Sequence, residues 1–538
     1  MARPGRPFGR VLIANRGEIA VRILRACREL GVETVAVYSD SDAGASHVRA
    51  ADLAVRLGPA PSAESYLRGD AIVEAALATA SEAIHPGYGF LSERPEFAAA
   101  VEAAGLVFIG PTSASIAALG DKLAARRSAA GAGVPVVPGT LEPAAIDRPD
   151  GVAAIAAEAE RVGYPLLVKA AAGGGGRGMR RVVSESELPS ALAAAAAEAR
   201  SAFGDGTVYL EREIRPARHI EVQLLGDREG TIVAVGERDC SVQRRHQKLV
   251  EEAPAPGLTA GERREVHDMA VRAARAAGLE NAATAEFLFD RDRRFWFLEV
   301  NTRLQVEHGV TELVADIDIV REQLFLATGR PLSDEVRAAA AGAADPRRHA
   351  IEIRLSAEDP ARAFAPTPGT ITRWQMPAGP GVRVDTAIRP GDRVPPDYDP
   401  LIAKLLVVDR DRDRALDRLR RALDEVEVAG IQTTLPFHRF IARSELFRDG
   451  PPSIDWVDVH WAAALVDDRA EALELARWVA AAAAAAGPAR LAAGASPRDG
   501  STHRGGPGAA AGHPDDAGAR RSTWAQAGRA AALDRRPR

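Results

Sequence analysis

Residues 295–308 read FWFLEVNTRLQVEH. The first four are apolar or aromatic and suit a strand leaving a core. Glu299, Asn301, Arg303, Gln305 and Glu307 then fall at every second position, with Val300, Thr302, Leu304 and Val306 between them. Alternate side chains of a strand share a face. The spacing therefore predicts one extended face that carries carboxylate, amide, guanidinium, amide and carboxylate. A solvated edge strand shows the same alternation, but the apolar lead-in and the mixture of chemistries favour a site. Carboxylate and amide oxygens suit Mg²⁺, a guanidinium suits a small planar oxyanion, and a positioned carboxylate such as Glu307 suits a general base. Just upstream, TAEFLFD (284–290) is a second apolar run with one acidic group, Glu286. A short turn at 291–294 joins the two runs into a predicted hairpin with Glu286 on one strand and Glu299 on the other.

Only four lysines occur in the 538 residues, Lys122, Lys169, Lys248 and Lys404, against 65 arginines. A chain that uses Arg wherever a cation need only be solvated keeps Lys where a compact ammonium is required, because Arg's planar fork does not replace it. Mutational bias with four survivors is the alternative. The net charge of −5 gives no electrostatic case for nucleic acid. Two cysteines, Cys27 and Cys240, exclude a disulfide framework and fit a reducing cytosol. No apolar run reaches membrane-spanning length. The basic first nine residues run at once into a strand, so no targeting segment is expected.

In chain order, RVLIAN, a helix from Glu18 to Leu30, TVAVY, AIHPGYGFLSE and LVFIGPT alternate strand and helix signals over residues 10–110. That alternation predicts a doubly wound parallel sheet, and the lack of GxGxxG after its first strand excludes a dinucleotide site. Lys122 opens a helix in LGDKLAARR. Residues 151–214 read as a small α+β lid, with Lys169 at a strand end and Gly173, Gly174, Gly175 and Gly176 shortly after it. Glycine amides curl around phosphate oxygens and allow a flap to close; a passive linker is the blander reading. Further on come RHIEVQLLGD with His219, ERDCSVQRRHQKLVEEAPAP with Gln243, His246 and Lys248, and HAIEIRLSAEDP with Arg354. The helix DRALDRLRRALDEV should turn Leu416, Leu419, Leu423 and Val426 inward. From about 467 an Ala-rich stretch passes into Gly, Pro, Ala, Arg and Ser without periodicity, a composition that reads as disordered. The expected parts are 1–125, 126–214, 215–465 and a tail 466–538.

The hairpin, RLQVEH, ANRGEIAVRILRACRELG and the twenty-residue ERDCSVQRRHQKLVEEAPAP string resemble biotin carboxylases of the ATP-grasp superfamily, over about residues 8–465. The resemblance implies a three-part α/β and α+β architecture with a mobile lid. It also implies the biotin carboxylase component of a cytoplasmic acyl-CoA carboxylase, working as a homodimer with a biotinyl carrier protein and a carboxyltransferase partner. ATP would lie under the lid against Lys122, Lys169 and the four glycines, with Glu211, Arg212, Ile214, His219, Gln243 and His246 lining the nucleotide. Mg²⁺ or Mn²⁺ would sit on Glu286, Glu299 and Asn301. Bicarbonate would contact Lys248, Arg303, Gln305 and Val306, and Glu307 would take its proton. Arg354 would stabilise the biotin enolate, Tyr88 would border the biotin pocket, and Arg22 and Arg25 would face the dimer partner, a solvated helix face being the alternative. Arg212 stands where lysine is common, a harmless swap for a backbone contact. Gly309 stands where the family usually has proline, which predicts a looser turn after Glu307. Lys404 has no expected role beyond structure. There is no Ala-Met-Lys-Met sequence and no lysine after Lys404, so biotin is expected on a separate carrier. Another ATP-grasp ligase acting on a different acid, or a non-catalytic scaffold, are the competing readings; every expected catalytic residue is present, against the second.

Overall fold

A computed structural model describes residues 5–144, 146, 149–171 and 179–461. The amino-terminal part is a five-stranded sheet of β1 (Arg10–Ile13), β2 (Glu33–Ser39), β3 (Leu53–Gly58), β4 (Ala83–His85) and β5 (Val107–Phe108). Every pairing in it is parallel and the order is β3-β2-β1-β4-β5. Val11, Leu12 and Ile13 are all buried, as a sheet covered on both faces requires. The helix Gly17–Glu29 lays Ile19, Ile23, Leu24 and Cys27 against it. Strand order reverses between β1 and β4, the place where an open α/β sheet leaves a crevice at its strand ends. Asn15 bridges the two loops there, its amide donating to the carbonyls of Pro86 (2.7 Å) and Tyr88 (2.8 Å). Glu18 and Tyr88 are held at that crevice.

The lid is a three-stranded antiparallel sheet in the order β7-β6-β8, with β6 Leu166–Ala170, β7 Arg180–Val182 and β8 Val208–Arg212. Helices Pro149–Val162 and Leu188–Phe203 flank it. Ile155, Leu166, Val168, Val182, Leu192 and Leu210 form an apolar cluster of its own. The glycines expected to close over phosphate, Gly173, Gly174, Gly175 and Gly176, lie outside the described residues.

The third part is built on eight antiparallel strands: β9 Ala217–Gly226, β10 Ile232–Arg244, β11 Gln247–Ala253, β12 Asn281–Asp290, β13 Phe295–Asn301, β14 His349–Ser356, β15 Val382–Thr386 and β16 Leu401–Asp409. Their order is β13-β12-β9-β10-β11-β14-β16-β15. The helix Ala260–Ala276, started by a Thr259–Glu262 capping box, packs over β9 and β10. Phe287, Phe289, Phe295 and Phe297 meet edge-on or tilted within that core. At the other end Leu416, Leu419, Leu423 and Val426 are buried as their spacing predicts. The hairpin also forms as read, with Glu286 directly opposite Glu299 and a bulge immediately after.

The extended face does not continue to residue 307. Strand β13 ends at Asn301, residues 302–307 form a turn, and Glu307 caps the helix His308–Ala315. Arg303, Gln305 and Glu307 converge because this turn folds back over the sheet, not because a strand aligns them. Part of its bracing is local: the Gln305 carbonyl accepts from the His308 ring (2.7 Å) and from the His308 amide (3.3 Å). Gly309 follows it and lies against strand β16. A Cβ there would meet a Leu406 methyl at 2.5 Å, so the neighbouring strand fills the space a larger residue would occupy.

Candidate active site

Strand β12 brings Glu286 and strand β9 brings His219 and Glu221, two positions apart on one face. The hairpin β10–β11 brings Gln243 and Lys248, which are paired in register. Together with the turn after β13 these elements enclose Lys248. Its ammonium donates to Glu221, to Glu286 (3.1 Å) and to Glu307 (2.7 Å). Burial would lower its pKa, but these three carboxylates hold it well above the ordinary lysine range.

Glu286 is the most heavily contacted carboxylate. Besides Lys248 it faces His219 Nε2 (3.1 Å) and accepts from Asn301 (2.9 Å) and Gln305 (3.1 Å). Burial pushes its pKa up, and Lys248 and His219 outweigh that, keeping it well below the usual range. The reciprocal effect holds the His219 imidazole above its ordinary value against its own burial. Glu299 accepts from Lys122, which starts a helix capped by Asp121. Oxygen atoms of Glu286, Glu299 and Asn301 lie around the hairpin end with cations already beside them. Buried carboxylates need counter-charge, and a hard oxygen donor set of this kind fits Mg²⁺. His219 and Glu221 approach Glu286 closely enough to share an ion with it.

Glu307 lies between Lys248 and Arg354, whose Nη2 donates to it at 2.9 Å. Burial alone would raise its pKa; Lys248, Arg354 and Arg238 hold it well below the carboxylate range. Arg354 also donates to Glu251 (2.6 Å). Arg303 donates to Asn301 (3.1 Å) and, across to the amino-terminal part, to Glu93 (2.9 Å). Tyr88 donates its hydroxyl to Glu18.

The lid side is built on Glu211 of β8, which accepts from Lys169 of β6 and from the fully buried Arg126 (2.6 Å). The guanidinium of Arg212 is occupied at the end of a lid helix, donating to the Val162 carbonyl at 3.0 and 2.8 Å. Ile214 follows that strand, half-buried, and His246 stands exposed on the β10–β11 turn. Arg22 departs from expectation. It is 7% exposed and donates within its own chain to Glu312 (2.8 Å) and Asp318 (2.6 Å); Arg25 on the same helix is exposed.

Several contributors were missed in the sequence. Arg238 is fully buried and donates to Glu221, Gln223 (2.9 Å), Thr311 (2.8 Å) and Gln305 (3.4 Å), so it sets the turn from below. Lys404 donates to the Val306 carbonyl at 2.7 Å. Glu221 and Gln223 were visible as the continuation of the His219 alternation. Lys404 was flagged by the scarcity of lysine, yet no motif surrounds it.

Three family models cover the chain in succession: "Biotin carboxylase, N-terminal domain" over 7–116, "Carbamoyl-phosphate synthase L chain, ATP binding domain" over 121–335 and "Biotin carboxylase C-terminal domain" over 352–459. The biotin carboxylase of Pseudomonas aeruginosa is 47% identical over 449 residues, 84% of this chain and 98% of that protein. A pyruvate carboxylase subunit of Methanothermobacter thermautotrophicus is 47% identical over 452 residues, 84% of this chain and 90% of that protein. A crystal structure of a Campylobacter jejuni biotin carboxylase–β,γ-ATP complex superposes with a TM-score of 0.80 at 43% identity, covering 84% and 99% of the two chains. The biotin carboxylase domain dimer of Hydrogenobacter thermophilus 2-oxoglutarate carboxylase, with MgADP, ADP and bicarbonate, gives 0.78 at 43% identity over 84% and 98%. The fold and site are thus those of an ATP-dependent carboxylating ligase. The chain belongs to the biotin carboxylase family.

Proposed function

We propose that this chain carries out the first half-reaction of a biotin-dependent carboxylase, adding a carboxyl group to the biotin ureido nitrogen of a separate carrier protein. The contact that carries the reading is Lys248, one buried ammonium touching both Glu286 and Glu307. It ties the metal-type carboxylate to the base-type carboxylate within a single side chain's reach.

In this reading ATP phosphates meet Lys122 and Lys169 under the lid glycines 173–176, with Glu211, Arg212, Ile214, His219, Gln243 and His246 around the nucleotide. Glu286, Glu299 and Asn301 would hold Mg²⁺, which when bound would offset the phosphate charge. Bicarbonate lies against Lys248, Arg303 and the Gln305–Val306 segment. Glu307 removes its proton, and the resulting oxyanion attacks the terminal phosphorus of ATP, breaking its bond to ADP and giving carboxyphosphate; this splits to CO₂ and phosphate, phosphate takes the ureido N–H proton of biotin, and that nitrogen captures the CO₂. Lys248, the first of the cations that keep Glu307 ionised, is also a bicarbonate contact, so its transfer to bicarbonate returns basicity to Glu307. Arg354 then holds the developing biotin enolate, with Tyr88 on the far side of the pocket. The remaining work is positioning and charge stabilisation.

The parts are assigned as 1–125, a linker and lid at 126–214, a catalytic part at 215–465 and a tail from 466. An apolar cluster private to the lid supports its movement as a unit. Homodimerisation and a cytoplasmic setting are proposed with it, as are a biotinyl carrier and a carboxyltransferase. The partner chooses the acceptor. An acyl-CoA follows from the sequence resemblance, while relatives named for pyruvate and 2-oxoglutarate make those acids the controls. The test is bicarbonate-dependent ADP release with and without free biotin; turnover indifferent to biotin would refute the assignment.

A further inference from the structure

Three of the four lysines belong to the site just described. The fourth, Lys404, lies on β16 between Arg354 of β14 and Asp385 of β15, its register partners on either side. Its side chain is 0% exposed. The ammonium donates to the Val306 main-chain carbonyl at 2.7 Å and stands 3.3 Å from Glu18 and 3.7 Å from Asp385. Val306 directly precedes Glu307. Glu18 belongs to the amino-terminal helix Gly17–Glu29, and the same carboxylate oxygen accepts the Tyr88 hydroxyl.

A lysine that served only to balance buried charge would turn to carboxylates alone. Lys404 stands beside two carboxylates yet makes its short hydrogen bond to a neutral carbonyl. Nearby on β14, Glu352 is buried and keeps both carboxyl oxygens without a hydrogen bond among the described residues. Burial pushes its pKa up, well above the usual range, although Lys404 acts in the opposite direction. The hydrogen bond of the ammonium goes to the turn, while the ammonium stays within ion-pair reach of Glu18 and Asp385. The slot is closed to solvent and its three partners, one hydrogen-bonded and two ion-paired, come from different elements, which suits a compact ammonium better than a planar fork.

We propose that Lys404 is a positioning residue: it pins the Val306–Glu307 segment to Glu18, so that one ammonium sets the bicarbonate turn and the Tyr88 side of the biotin pocket together. The inference rests on the reading of residues 303–307 as the bicarbonate site. It gives the fourth lysine a role in substrate geometry with no contact to substrate.

The experiment uses the full chain with Lys404→Met, Lys404→Arg, Glu18→Gln and the double variant Lys404→Met/Glu18→Gln. ATP, bicarbonate and free biotin are varied separately in initial-rate ADP release. Loss of a charge-assisted hydrogen bond to the turn should raise KM for bicarbonate about tenfold or more in Lys404→Met. KM for ATP should stay within about twofold, since the nucleotide contacts lie on other elements. Lys404→Arg should restore charge without restoring the bicarbonate KM. Glu18→Gln should raise KM for biotin and alter bicarbonate less, and the double variant should be no worse for bicarbonate than Lys404→Met, the non-additivity expected of one network. The double variant also removes the carboxylate that Lys404→Met strands, and serves as the measured protein if the single variant does not fold. An unchanged bicarbonate KM, or ATP and bicarbonate constants that rise together with lost thermal stability, would overturn the proposal. Glu307→Gln in the same assay separates the two levels. If it keeps normal turnover the bicarbonate reading itself fails; if it loses turnover while Lys404→Met is normal, only the role of Lys404 fails.

Discussion

Replacing Glu307 by Gln removes one negative charge and one proton acceptor while keeping side-chain shape. The amide oxygen still accepts from one neighbour, but the amide NH₂ meets the other, either Lys248 or Arg354, as a donor facing a donor. Neither cation is orphaned: Lys248 keeps Glu221 and Glu286, and Arg354 keeps Glu251. The stability cost should therefore be about 1–3 kcal/mol, that of unmade buried hydrogen bonds, and not the roughly 3–5 kcal/mol of stranding a buried charge. The rate cost is larger. Loss of a general base removes about 10²- to 10⁴-fold, equivalent to about 3–5 kcal/mol in the activation barrier. Biotin- and bicarbonate-dependent ADP release should show the loss in kcat, with ATP affinity, read by equilibrium binding, nearly unchanged. Near-normal turnover would refute the base assignment. Lost ATP binding with turnover per bound ATP preserved would move Glu307 into the nucleotide site.

Glu299→Gln should instead shift the Mg²⁺ concentration needed for half-maximal activity upward, with kcat at saturating Mg²⁺ less affected; an unshifted Mg²⁺ curve would remove Glu299 from the metal set. Lys169→Arg should raise KM for ATP although charge is kept, because a fork beside Glu211 forms a two-pronged pair that an ammonium does not; unchanged ATP kinetics would make Lys169 a bystander. The protein should stay unlabelled by a biotin ligase and should carboxylate a separate biotinyl domain, checked by mass spectrometry and by ¹⁴C transfer. Acid should unfold the chain in a defined window. Despite their burial, Arg412 and His349 hold Glu252 at about 2, and Arg22 and His308 hold Glu312 at about 2. A depressed carboxylate pKa contributes stability above the unfolded value near 4.5 that is lost as pH falls toward 2, roughly 3 kcal/mol for each group. Glu312→Gln should flatten the fall of the urea midpoint between about pH 5 and 3, and an unchanged slope would count against the Arg22–Glu312 pair.

Much of this was legible in the sequence because period and motif coincide there. The hairpin of Glu286 and Glu299 follows from two apolar runs with a four-residue turn, and the buried stripe of Leu416, Leu419 and Leu423 from helical spacing. The alternation from Glu299 to Glu307 picked out residues that the structure brings together, but through the wrong geometry. A period of two holds only while the strand lasts, and nothing local marks Asn301 as its end. What brings Arg303 and Gln305 back over the sheet is Glu93, Arg238 and Lys404, from positions 67 to 210 residues away. Contacts of that range leave no periodic trace. Arg22 illustrates the same limit, since a charged residue on an amphipathic helix reads as exposed until its partners Glu312 and Asp318, some 290 residues on, are known.

The ion pairs of the site also suggest why lysine survives in this arginine-rich chain. Lys122 rests on Glu299, Lys169 on Glu211 and Lys248 on Glu286 and Glu307. Lys122 and Lys248 are satisfied by carboxylates that the proposed chemistry needs elsewhere, for metal or for a proton, and Lys169 by Glu211, which lines the proposed nucleotide site. Binding must therefore exchange partners: cations pass to incoming anions, and carboxylates to the metal ion or to the proton. Such an exchange leaves the charge of the buried cluster balanced throughout, so no step exposes an uncompensated charge. An ammonium on a four-carbon stem makes that exchange by rotation, one hydrogen bond at a time. A guanidinium locked in two parallel bonds to a carboxylate has to break both at once. Arg126 and Arg238, fully buried and bonded to Glu211 and Glu221, have no exchange to make, and at those two positions the chain uses arginine.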